Sequence, residues 1–320
     1  MLICARFVTA ALLMLAPPPT QHGASPPPEG ISSETPVYSP DGRFIVFSSG
    51  PWMQHQIYVM HADGTGARRL TAGEQNRWPS WSPDGKLIVF MSDRDGQGEL
   101  YVMNADGSSQ RRLTNTPAHE FAPAWSPRGD LIVYLVEMPG QKQQIFSIRP
   151  DGSGTRRLDG DHLYYGRLSF HPDGSRLFVA AHRATAAAAG DRWKVRVRLY
   201  AVDLERHTVV PIGDEGYESN PWPSQDGRTL VVDTGDGRSW ASGAGQWDLW
   251  LVEADNQRRT RLTSTAANDW GAAWSPDGKQ IVFSSGLNRV YALHVINADG
   301  TGRRSLTRTD RLPDQTIQPR

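Results

Sequence analysis

Apolar runs introduced by Pro-Asp-Gly turns recur along most of the chain. Leu87-Ile88-Val89-Phe90 follows Ser82-Pro83-Asp84-Gly85, and Gln280-Ile281-Val282-Phe283 follows Ser275-Pro276-Asp277-Gly278. Pro presets the first turn dihedral and Gly takes the left-handed one, so each copy predicts a tight hairpin between short strands. A second strand pair follows each: residues 99–103, the turn Asn104-Ala105-Asp106-Gly107, then residues 110–114. The same layout is predicted over residues 56–71, 143–158, 197–212, 248–263 and 290–307.

The turn recurs six times, as Pro-Asp-Gly in four copies and as Pro127-Arg128-Gly129 and Gln225-Asp226-Gly227 in the other two, ending at Gly42, Gly85, Gly129, Gly174, Gly227 and Gly278 with spacings of 43, 44, 45, 53 and 51 residues. Four short strands at that period are the mark of a propeller blade. The expected fold is therefore all-β, a six-bladed β-propeller of four-stranded antiparallel blades. Apolar residues line the strands because a single blade cannot bury its own faces and must fill the gap to its neighbour. The outermost strands carry the pairs Arg68-Arg69, Arg111-Arg112, Arg156-Arg157, Arg258-Arg259 and Arg303-Arg304. Spread round a rim, they read as charged guards of exposed sheet edges and not as a nucleic-acid patch.

The run of S-P-D-G, an apolar strand, L-Y-V-M-N-A-D-G and R-R-L-T resembles the WD40-like (PD40) repeat of the TolB-like β-propellers, over about residues 34 to 307. The G-H and W-D marks of ordinary WD40 arrays are missing apart from Trp247-Asp248. The resemblance implies a propeller without the N-terminal α/β domain of TolB. It also implies an envelope role in which the propeller binds a partner such as a peptidoglycan-associated lipoprotein.

Composition agrees: 31 Gly, 23 Pro and 11 Trp favour turns and strands over helices. Lys plus Arg balances Asp plus Glu at 34 each, which removes any overall field drawing the protein to nucleic acid. Arg6, the apolar run over residues 7–16 and Pro17-Pro18-Pro19 read as a signal peptide, since ten helical residues rise only about 15 Å. Residues 1–24 are taken as that signal, 25–33 as a linker, 34–310 as the propeller and 311–320 as a tail. A periplasmic or secreted monomer is expected, with no membrane span after signal removal. The one cysteine, Cys4, lies in the signal, so no disulfide is expected. Ring closure is left open between a latch from residues 29–35, a latch from residues 308–319, and no latch at all.

In a four-stranded blade, the P-D-G and A-D-G turns share one face, and the links and second-to-third loops share the other. The latter vary in length, so function is placed there. Nine residues before each turn glycine stand Ser33, Asn76, Glu120, Tyr165, Glu218 and Asp269, predicted to surround the channel mouth with Glu34, Arg77, Tyr164 and Trp270 beside them. Trp52, Trp78, Phe121, Trp240 and Trp247 are expected on the same face, suited to a protein or a sugar. The proposed partner-binding set is Asn76, Arg77, Trp78, Glu120, Phe121, Tyr165, Glu218, Asp269 and Trp270.

Catalytic motifs are missing. No G-x-S-x-G, phosphate loop or H-E-x-x-H is present, and Asp93-Arg94-Asp95-Gly96 begins like a calcium loop but fails after its second ligand. No cofactor and no metal are expected. The alternative is a metal-dependent enzyme resembling oligogalacturonate lyase, for which His55, His119, His162 and His182 are the candidate ligands. The favoured reading is a non-enzymatic scaffold that binds an envelope protein or peptide.

Overall fold

The computed structural model describes residues 30–137, 143–159, 162–183, 196–206, 208–236, 246–255 and 257–310, with backbone alone at 159, 162–165, 182 and 183. The signal, most of the linker, the tail, Trp240 and the Ala-rich loop at 184–189 lie outside the described residues.

Among the described residues, twenty-four strands fall into six four-stranded antiparallel sheets, each made of four consecutive strands. The first strand of each sheet lies innermost: β1 (Ser32–Tyr38), β5 (Asn76–Trp81), β9 (His119–Trp125), β13 (His162–Phe170), β17 (Glu218–Pro223) and β21 (Asn268–Trp274). These six strands neighbour one another in order and β21 returns to β1, so the ring is closed. The expected six-bladed, four-stranded propeller is what forms.

The turn sequence explains its own recurrence. The Ser39 hydroxyl donates to Asp41 Oδ1 at 2.6 Å and accepts from the Phe44 amide at 2.9 Å, while the Arg43 amide donates to Asp41 Oδ1 at 3.0 Å. Ser82-Asp84, Ser224-Asp226 and Ser275-Asp277 repeat the arrangement at 2.6 to 2.7 Å. The turn glycines have φ of 69° to 75°, a region costly for any side chain. A second device closes the outer strands. Hydroxyls of Thr71, Thr114, Thr263 and Thr307 accept the amides of Ile57, Leu100, Leu249 and Leu293 at 2.8 to 3.0 Å.

The core consists of wedges between blades. One buried cluster joins Val46 and Ile57 of the first blade to Ile88, Phe90 and Met103 of the second; another joins Phe47 and Tyr58 of the first to Val282 and Leu293 of the sixth. Aromatic pairs across the second and third strands thicken the wedges, such as Phe47–Tyr58 at 5.7 Å and Phe90–Tyr101 at 5.9 Å.

The rim arginines stitch the blades together. Arg68 Nη1 donates to the Asp106 carbonyl at 2.9 Å, Arg111 to the Pro150 carbonyl, and Arg304 Nη1 to the Asp63 carbonyl at 3.1 Å, each reaching the next blade's turn. The last of these spans the closing seam, where the Ile31 amide also donates to the Thr309 carbonyl at 2.9 Å. Ile31 and Thr309 thus meet at the seam, while each blade keeps its own four strands.

Candidate functional site

Every innermost strand is bent by a bulge, because one residue takes the left-handed region: Thr35, Trp78, Ala122, Gly166, Asn220 and Gly271. Bulges re-aim side chains, and here they divide the predicted mouth residues into two sets.

One set is buried inside the sheets and their seams. Asn76 Nδ2 donates to Gln56 Oε1 at 2.9 Å, and its Oδ1 accepts from Arg94 at 3.1 Å. Glu120 accepts from Thr116, and its Oε2 lies 3.3 Å from the Thr114 hydroxyl, whose proton is donated to Glu99 at 2.6 Å. Burial, and then the neighbouring Glu99 carboxylate, push Glu120 up to about 7. Glu218 pairs with Arg259. Asp269 accepts from Arg303 at 2.9 and 3.1 Å. Ser33 meets the Ser49 hydroxyl at 2.9 Å. The carboxylates predicted to converge on the mouth are thus each engaged in separate places, because the alternation of the strand turns them into the sheet stack and not toward the axis. Tyr165 pairs with Ala180 through its backbone; its side chain and that of Tyr164 lie outside the described residues.

The other set forms a half-buried stack across blades two and three. The Arg77 guanidinium lies 5.0 Å from the Trp78 ring, Trp78 lies 5.4 Å from Phe121, and Phe121 lies 5.5 Å from His119. Arg77 is anchored by Glu34, to which its Nη2 donates at 2.5 Å across the seam. Although burial acts to raise Glu34, Arg77 and His55 hold its carboxyl well below the usual range. His119 Nδ1 accepts the Gly98 amide at 3.0 Å, and a β-carbon at Gly98 would lie 2.3 Å from the imidazole, so only glycine lets the ring in. Trp270 meets Tyr291 edge-on at 5.4 Å.

On the same face at the closing seam, the Arg289 guanidinium covers Trp52 at 4.9 Å, with Met53 58% and Leu287 52% exposed. Trp247 is packed against Gly235 and fills a gap. Asp95 is taken by Arg112 at 3.1 Å and by the Tyr101 hydroxyl, which leaves the calcium-like loop without its ligand.

His55 is fully buried with Nε2 3.6 Å from Glu34, and His119 belongs to the aromatic stack. The side chains of His162 and His182 lie outside the described residues. Among the described residues, no three of His, Cys, Asp and Glu gather to hold a metal, and no helix is long and apolar enough to cross a membrane.

Arg167, absent from the predicted set, occupies the channel itself. In blade four the bulge is longer: Tyr165 and Ser169 oppose Ala180 and Phe178, four residues against two, whereas Ser219 and Trp222 oppose Asp233 and Val231. The additional residue carries Arg167 inward, 7% exposed. Its guanidinium lies 4.5 Å from the Trp222 ring, and Nη1 reaches the carbonyls of Pro36 and Gly271 at 3.5 and 3.4 Å. The Arg167 amide donates to Asn220 Oδ1 at 2.8 Å, Asn220 donates to Asp233, and Asp233 accepts the Gly271 amide at 3.0 Å. Blades four, five, six and one are thereby tied at the axis. Burial pushes Asp233 up to about 7 and Arg167 down to about 10, each partly countered by the other's charge. The sequence signal was a cation where the other copies have Thr35, Trp78, Ala122, Asn220 and Gly271.

A family model described as the TolB beta propeller domain matches residues 28–186. TolB from Acinetobacter baumannii is similar in structure with a TM-score of 0.64 and 17% identity, covering 86% of this chain and 62% of that one. An oligogalacturonate lyase solved in complex with manganese has a TM-score of 0.54 at 14% identity, covering 83% and 90%. At these identities the solved structures show the fold alone. An uncharacterized protein of Agrobacterium fabrum, Atu1656, is 29% identical over 145 residues, which is 45% of this chain and 43% of the relative. The chain thus spans less than half of that relative and less than two thirds of the Acinetobacter TolB.

Proposed function

From the premise that this chain is a TolB-like propeller built of PD40 repeats, we propose that it is a non-enzymatic periplasmic scaffold that binds an envelope protein or peptide. The single observation that carries this reading is the stack of Arg77, Trp78, Phe121 and His119, half-buried on the face with the variable loops. Aromatic rings and arginine held rigid in this way make strong contact area at little entropic cost. The exposed Met53 and Leu287 beside Trp52 extend the apolar surface. A peptidoglycan-associated lipoprotein is the partner class that the family resemblance favours.

The test is capture from envelope extract with wild-type protein and with the Trp78→Ala/Phe121→Ala variant as bait. The expected result is a defined envelope protein retained by the wild type and lost, at least tenfold, by the variant, since two such truncations cost roughly 2 kcal/mol or more. Equal retention by both baits overturns the placement of the site.

The propeller it shares with a manganese-bound lyase supports a second reading, a carbohydrate-active enzyme. Incubation with uronate oligosaccharides and manganese separates the two. Turnover would favour the lyase reading, and none is expected.

A further inference from the structure

Arg167 presents a chemical problem that the scaffold reading leaves unsolved. A guanidinium carries five N–H donors and stays charged. Here it is nine-tenths buried, makes two long contacts through Nη1, and has no ion pair within 4.0 Å among the described residues. Asp233, the acid whose charge it feels, is instead occupied by the Gly271 amide, Asn220 and Ser219. Stacking on Trp222 offsets part of the cost of a buried cation without an ion pair, and its side-chain hydrogen bonds among the described residues run through Nη1 alone.

Arg167 borders a small chamber, formed with Trp78, Ser80, Pro123, Leu168 and Trp222 from four successive blades. Its room is that of about one water molecule. The Ser80 hydroxyl accepts the Trp125 amide at 3.3 Å, which leaves its own proton to donate. Among the described residues no carboxylate lines the chamber. One fixed cation, one hydroxyl donor and apolar walls select a ligand of single negative charge. A divalent anion would lose more hydration than one guanidinium returns.

We propose that this chamber is a binding site for a small monovalent anion of chloride size, held by Arg167 and Ser80 and locking the innermost strands together. It does not depend on the partner proposed for the outer stack, and the two can fail separately.

Bromide is the probe. Crystals of the wild-type protein grown in sodium bromide are expected to show an anomalous peak within contact distance of the Arg167 guanidinium. No peak in the chamber overturns the proposal, whether or not any variant folds. In solution, sodium chloride should raise the melting temperature above that in sodium gluconate at matched ionic strength. Arg167→Met should weaken the chloride response roughly tenfold, the loss of one charge-assisted contact. A chloride-specific rise that persists undiminished in Arg167→Met also overturns it.

Discussion

Glu34 of the first blade and Arg77 of the second form an ion pair at 2.5 Å across their seam, with the carboxylate 2% and the guanidinium 16% exposed. Removing the cation alone leaves a buried carboxylate with only His55 and the Ser32 hydroxyl beside it among the described residues. Arg77→Ala should cost roughly 3–5 kcal/mol in chemical denaturation, and Glu34→Gln in the same chain should recover a large part of it. If the double variant is as unstable as Arg77→Ala, the buried charge is not the cause. Because Glu34 is held below its ordinary range, its contribution is present above about pH 4.5 and is lost on acidification.

Glu120 behaves in the opposite sense. Its folded-state value, raised to about 7, means that the folded protein keeps a proton between about pH 4.5 and 7 that the unfolded chain has released. Raising pH through that window therefore removes stability, and Asp233 adds a slope of the same sign. Glu120→Gln should flatten the fall of melting temperature between about pH 5 and 7.5. A slope identical to the wild type's would show that this carboxyl titrates normally.

Arg68 and Arg304 make equivalent bonds across an internal seam and the closing seam, at 2.9 and 3.1 Å. Each exposed bond should contribute about 1 kcal/mol, so Arg68→Ala and Arg304→Ala should destabilise equally. A much larger loss for Arg304→Ala in urea unfolding would mark the closing seam as a special latch.

Gly278 and Gly98 are constrained for different reasons. A β-carbon at Gly278 would meet nothing within 4 Å, but its φ is +70°, so Gly278→Ala should cost about 1–2 kcal/mol through strain and leave partner capture intact. At Gly98 the added carbon would strike His119. Gly98→Ala should disturb the aromatic stack and reduce capture; unchanged capture would separate the stack from binding.

Much of this architecture was legible in the chain itself. The S-P-D-G turn carries its geometry in four neighbouring residues: Ser39 and Asp41 bond within the turn, and Gly42 supplies the left-handed backbone. Repetition of such a local device, with apolar strands between, determined blade number, strand order and the stacking of wedges. The arginine pairs were visible too, but not their bonds to the next blade's turns.

The direction in which side chains of the innermost strands point was decided only by the tertiary structure. One bulge residue turns Trp78 to the face and leaves Asn76 within its sheet, and one residue more in blade four sends Arg167 to the axis. Sequence spacing treats Glu120, Glu218 and Asp269 as equivalent members of a ring, yet each finds a different buried partner, because partners are supplied by other strands that meet only when the circle closes. Local chemistry is written in neighbouring residues, whereas convergence at an axis is a property of six separate segments together.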